Sequence, residues 1–193
     1  MFEGNPVLRI PGEINFRDPK VMWYAPGLKW IMSVSLSAAQ KVLFYSSTNL
    51  KDWIKTGEFE ISIKEELTVW ECPDLVYLAT TNGTSSKWVL VVNVNPGGYQ
   101  PGSGVKYFIG HFDGLSFTAD DPTRISDFLD YGPDFYAVTS FFQDSGSQNP
   151  LTSIPAVAWM QNWIYTQFGT YPPPTHPWRG QMSFPRSYGL RAY

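Results

Sequence analysis

The segments PKVMWY (19–24), PDLVYL (73–78) and PDFYAV (133–138) each join a proline to a short apolar or aromatic run, and they recur 54 and 60 residues apart. The runs after the first two are also alike. KWIMSV (29–34) matches KWVLVV (87–92), KVLFYSS (41–47) matches KYFIGHF (106–112), and Asn49-Leu50-Lys51-Asp52-Trp53 corresponds to Gly114-Leu115-Ser116-Phe117. The third unit is less regular, with IPAVAW (154–159) followed by Asn162-Trp163-Ile164-Tyr165. These runs are β-branched or aromatic and bounded by Gly, Pro, Asn or Ser, the pattern of strands separated by turns. Only SAAQK (37–41) and SIKEEL (62–67) read as helical, each for a turn or two.

Four strands per unit at this period is the pattern of propeller blades, of which about 4–8 close a ring. The spacing therefore predicts an all-β fold, a partial β-propeller forming a single incomplete domain over residues 1–193. Blade-like units are expected near 15–58, 68–120 and 130–168, with the start of a further strand in 177–193. About three blades cannot close a ring, and open ends would leave apolar blade faces uncovered, so the chain reads as part of something larger. The Gly- and Pro-rich stretches 95–104 and 170–177 read as connections between strands.

Composition narrows the function. Hydrophobic residues make up 43% of the 193 and charged residues 16%, which excludes a disordered linker. The net charge is −3 with no run of Lys or Arg, so nucleic acid is not an expected partner. No stretch reaches the ~18 apolar residues of a membrane span. The N-terminal MFEGNPVLRIPGEI has neither a basic nor an apolar region of a signal peptide. Aromatic residues reach 17%, which suits both β-core packing and the stacking of sugar rings. Cys72 is the sole cysteine, so no internal disulfide forms. With one Cys and two scattered histidines, His111 and His176, neither a metal-ligand spacing nor a Ser-His-Asp triad is legible, and no metal or cofactor is expected. Gly102-Ser103-Gly104 lacks the third glycine and the following helix of a dinucleotide loop. Asn82-Gly83-Thr84 is a glycosylation acceptor tripeptide, mild support for a secreted parent.

Acidic residues at equivalent blade starts converge on one channel rim despite their separation in sequence. Asp18 precedes the first inner strand and Glu71 the second, 53 residues later. Two carboxylates facing one cavity are what cleavage of a glycosidic bond needs, one of them protonated to serve the leaving oxygen. Trp70 and Cys72 are expected to give Glu71 an apolar wall that favours the protonated form. Taken singly, Asp18 also reads as a turn cap and Glu71 as a solvated rim residue.

Five ordered motifs carry a resemblance. They are Gly4-Asn5-Pro6-Val7, Phe16-Arg17-Asp18-Pro19-Lys20-Val21, Trp70-Glu71-Cys72-Pro73, the segment from Asp130 to Ala137 (DYGPDFYA), and the segment from Pro177 to Arg186 (PWRGQMSFPR). Together they resemble glycoside hydrolase family 32, the invertases, inulinases and related fructosyltransferases. The resemblance implies a five-bladed propeller followed by a β-sandwich. It also implies a retaining β-fructosidase that acts on the terminal β-fructofuranosyl bonds of sucrose, inulin or levan. It assigns Glu71 as acid/base and Asp18 as the transition-state stabiliser that holds fructosyl hydroxyls. Arg17, Trp178, Asp134 and Tyr136 are assigned to substrate binding, and an extracellular location is implied.

The family's nucleophile lies in an Asn-Asp-Pro-Asn motif upstream of the Gly-Asn-Pro-Val stretch, and no such motif occurs among these residues. The expectation is thus an internal fragment without an N-terminal blade region or the sandwich, inactive by itself. A non-catalytic sugar-binding propeller, a fructosyltransferase and a propeller glycosidase acting on arabinose polymers are the alternatives.

Overall fold

The computed structural model describes residues 2–62, 64–121, 127–141, 150–166, 177–178 and 180–192. Three antiparallel meanders follow one another along the chain. The first runs β1 (Phe16–Tyr24), β2 (Lys29–Leu36), β3 (Lys41–Ser47) and β4 (Ile54–Glu60), each strand beside the next. The second runs β5 (Val69–Ala79), β6 (Ser86–Asn95), β7 (Gly104–Phe112) and β8 (Phe117–Ala119), with β9 (Asp127–Phe128) also paired to β7. The third is β10 (Tyr136–Ser140), β11 (Ile154–Trp159) and β12 (Arg186–Tyr188), with a helical turn, α1 (Trp163–Thr166), after β11. The fold is all-β, and the three sheets are blades of a partial propeller.

The alternation of side chains along β6 shows why the sheets stack. Trp88, Leu90, Val92 and Val94 pack against Ile31, Phe44 and Phe59 of the first sheet. Val89 and Val91 turn the other way, onto Val138, Ile154 and Ala156 of the third. A strand buried on both faces reads as a continuous apolar run, as β6 does. The far face of the first sheet is covered by Leu8 and Ile10 of the N-terminal segment. Much of the aromatic content serves these interfaces. Phe59 stands 4.9 Å from Phe108, 5.1 Å from Phe117 and 6.1 Å from Trp70, all between the first two sheets.

One sequence reading changes in three dimensions. The 61–68 connection contains no helix among its described residues. It is held instead by Gln40, whose amide donates to the carbonyls of Glu65 (2.6 Å) and Thr68 (3.0 Å). Residues 186–188, within the stretch expected to start a further strand, form the third strand of the third sheet, where Ala156 faces Arg186.

Candidate active site

The edge strands β1, β5 and β10 converge, and each carries the same irregularity. Arg17 faces Ser35 and Lys20 faces Ser33, so Asp18 and Pro19 stand opposite one residue of β2. Cys72 and Pro73 do the same between Glu71 and Asp74, and Ala137 and Val138 between Tyr136 and Thr139. Each is a β-bulge, and its first residue is left-handed: Asp18 at φ 60°, Cys72 at φ 44° and Ala137 at φ 50°. Proline is tolerated at 19 and 73 because the bulged residue leaves the ladder and needs no N–H there.

This register corrects the sequence alignment. Pro19 and Pro73 are equivalent, but their counterpart in the third sheet is Val138, not Pro133. Asp18 is therefore equivalent to Cys72, and Glu71 to Arg17 and Tyr136. The two acids sit one residue out of step rather than at the same blade position.

The offset brings them together. Asp18 Oδ2 accepts the Cys72 backbone N–H at 3.0 Å and faces its Sγ at 3.7 Å. Since Cys72 N belongs to the peptide that follows Glu71, Asp18 Oδ2 lies within about 6 Å of the Glu71 Cα. Arg17 Nη1 donates to Glu71 Oε1 at 2.9 Å, and the Tyr136 hydroxyl donates to Glu71 Oε2. Arg17 is oriented from behind, its second nitrogen reaching Asn15 Oδ1 at 2.5 Å. Three sheets thus contribute to one cluster of Arg17, Asp18, Glu71, Cys72 and Tyr136.

The titrations follow from the packing. Burial, and then the hydrogen bond to Glu71, raises the Tyr136 phenol well above its usual range, so it remains a donor. Burial and the neighbouring Asp18 and Glu71 push the Cys72 thiol up to about 12, which leaves it a neutral thiol. The apolar wall expected at Glu71 is not built from Trp70. Adjacent strand residues point to opposite faces, and Trp70, 1% exposed, packs 6.1 Å from Phe59 and 5.6 Å from Phe108.

Of the remaining expected residues, Asp134 is half-buried two positions before Tyr136. Burial raises its carboxyl, and its Oδ1 has no hydrogen-bond partner among the described residues. Trp178 is 64% exposed. It precedes residues 181–183, which run beside the end of β11 through the Met160 N–H to Gln181 and the Ser183 N–H to Ala158. Arg186 joins two separate motifs, pairing with Asp130 and lying 4.2 Å over the Phe135 ring. His176 and Arg179 fall outside the described residues.

Three residues escaped the sequence reading. Asn93, fully buried in β6, donates to Cys72 O (3.1 Å) and accepts from Val138 N (3.0 Å), joining two bulges. An asparagine inside the run WVLVVNV (88–94) was its one signal, since a polar side chain buried among valines must have partners. Lys20 and Asp74 meet at 3.3 Å beneath the cluster. Both followed a motif proline and gave no sign of which partner each would take.

The comparisons with known proteins agree with this architecture. The family model described as the glycosyl hydrolases family 32 N-terminal domain matches residues 1–192. A levanase of Bacillus subtilis is 41% identical over 195 residues, covering 100% of this chain and 27% of the levanase. The exo-inulinase structure from Aspergillus awamori superposes with a TM-score of 0.84 at 38% identity, over 97% of this chain and 37% of that one. The β-fructofuranosidase of Schwanniomyces occidentalis complexed with fructosyl-erythritol gives 0.83 at 37% identity, over 98% and 34%. The chain spans about a third of the length of the relatives it matches. A match that runs through all three sheets and every motif around the bulges means that this chain belongs to family 32 of the glycosyl hydrolases, within their N-terminal domain.

Proposed function

We propose that the whole protein carrying this chain is a retaining β-fructosidase that hydrolyses terminal β-fructofuranosyl bonds of sucrose, inulin or levan, and that it acts outside the cell. The extracellular part of the reading is supported by relatives named as extracellular exo-inulinases. The observation that carries the activity is the convergence of Asp18 and Glu71 on adjacent bulges, with Asp18 Oδ2 3.0 Å from the Cys72 N–H.

In this reading Glu71 gives its proton to the leaving oxygen as the glycosidic C–O bond breaks. A carboxylate from another segment of the whole protein bonds to the anomeric carbon. Water then attacks that carbon, returns a proton to Glu71 and frees the carboxylate. Asp18 holds fructosyl hydroxyls and stabilises the developing positive charge on the ring. Trp178, exposed, and Asp134, whose Oδ1 has no hydrogen-bond partner among the described residues, are the substrate contacts. Arg17 and Tyr136 act on the reaction through Glu71, to which both donate.

The test is sucrose and inulin hydrolysis by the whole protein and its Glu71→Gln and Asp18→Asn variants. Each variant is expected to lower kcat by about 10²–10⁴-fold. Turnover by Glu71→Gln within threefold of the parent's (about 0.65 kcal/mol in barrier) would overturn the assignment. Fructoside binding without turnover by the parent would show a binding protein.

A further inference from the structure

Three positions beyond Arg17, Glu71 and Tyr136 in their strands stand Lys20, Asp74 and Thr139, and the bulges place each pair on one side of its sheet. Residues three apart in a regular strand would point to opposite faces, so the extra residue creates this second layer. Lys20 Nζ is its meeting point. It lies 3.3 Å from Asp74 Oδ2, 2.9 Å from Thr139 Oγ1 and 2.7 Å from the Ser140 carbonyl. Asp74, 4% exposed, also accepts the Ser140 backbone N–H at 2.7 Å through the same Oδ2. One ammonium group from the first sheet thus holds acceptors of the second and third.

Face to face the sheets are joined by apolar side chains, and the polar bonds of the upper layer, Asp18 to the Cys72 N–H, Arg17 and Tyr136 to Glu71 and Asn93 to the Val138 N–H, each link only two sheets. Apolar contact is non-directional and sets the height of one edge strand against the next only loosely. The Lys20 bonds are directional and lie one layer below the acids. A shift of β1 against β5 by one residue would part Asp18 from the Cys72 N–H and Arg17 from Glu71.

We propose that Lys20, through Asp74 and Ser140, is a positioning residue that fixes the three edge strands in register and thereby places the Glu71 proton at the leaving oxygen. This rests on the reading of Glu71 as the acid. The three acceptors converge on a single nitrogen and so match a tetrahedral ammonium, whereas a planar guanidinium spreads its donors over three nitrogens.

The experiment compares two substrates in the whole protein, sucrose and an aryl β-fructofuranoside whose phenolate leaves without a proton. The variant is Lys20→Met with Asp74→Asn, which removes the ion pair without stranding a buried charge and leaves an oxygen to accept from Ser140. Glu71→Gln is run beside it. A misplaced acid should cost kcat/KM on sucrose about 30-fold or more and kcat/KM on the aryl fructoside less than about fivefold, because kcat/KM reports cleavage of the glycosidic bond and not the later attack of water, in which Glu71 serves both substrates as base. A purely structural role would lower the melting temperature and cost both substrates equally, or neither, and would overturn the proposal. If Glu71→Gln shows the leaving-group dependence and the Lys20 variant does not, the Lys20 proposal alone fails. If Glu71→Gln shows none, the assignment of Glu71 falls and the Lys20 proposal with it. Lys20→Arg is expected to behave as the double variant, and full activity in it would overturn the role of convergence on one nitrogen.

Discussion

The Tyr136 hydroxyl donates to Glu71 from a strand 65 residues further along the chain, and both residues occupy the position before a left-handed bulge. A residue read from sequence as a sugar contact is therefore bonded to the proposed acid. Tyr136→Phe in the whole protein should lower kcat on sucrose about 10–100-fold and change KM by less than about threefold. Steady-state kinetics separate the two roles. A raised KM with kcat intact would return Tyr136 to the sugar.

Cys72 should be inert while the chain is folded. Its thiol is pushed up to about 12 from an ordinary 9, so the folded state keeps a proton that the unfolded state releases. The resulting stabilisation is complete below about pH 9 and is lost as pH rises toward 12. Melting temperatures of the parent should fall across that window more steeply than those of Cys72→Ala. A thiol reagent at pH 8 should label Cys72 only after denaturant is added, and rapid native labelling would contradict the packing described.

Ala137→Gly is expected to stabilise the protein. Ala137 sits at φ 50°, where an L-residue costs about 1–2 kcal/mol, and glycine relieves this at an entropic cost of about 0.5–1 kcal/mol. The net expectation is a gain of about 0.5–1 kcal/mol, read from the urea midpoint. The same change at Ala156, fully buried in β11, should destabilise.

Gly102→Ala should be severe. Its Cβ would fall 2.0 Å from Asn162 Oδ1, and the backbone is at φ 98°. Asn162, fully buried, accepts from Ser103 N and Ile164 N and donates to the carbonyls of Pro101, Ser103 and Pro133. Displacing it would strand several of these groups, for a loss of about 2–4 kcal/mol by denaturant titration. Asn162→Ala should cost a similar amount, and the two changes together should cost less than their sum.

The amino-acid sequence alone determined the strand content, the blade-like period and the family, because hydrophobic alternation, turn residues and motif order are properties of the chain itself. It also named Asp18 and Glu71, whose motifs are local. The register of the third blade was not legible. Pro133 continued the proline pattern, but the bulge falls at Ala137 and Val138, since its position is fixed by pairing with β11 and by the Asn93 bonds from β6. Nor could the chain say that Trp70 turns from Glu71 toward the core while Tyr136 turns to it, because facing depends on where a strand gains one extra residue. The partners of Lys20, Asp74 and Asn93 come from strands 21 to 120 residues away. Only the tertiary structure decided them, because a buried polar group is satisfied by whichever acceptor the packed sheets bring within about 3 Å, and local sequence carries no record of that neighbour.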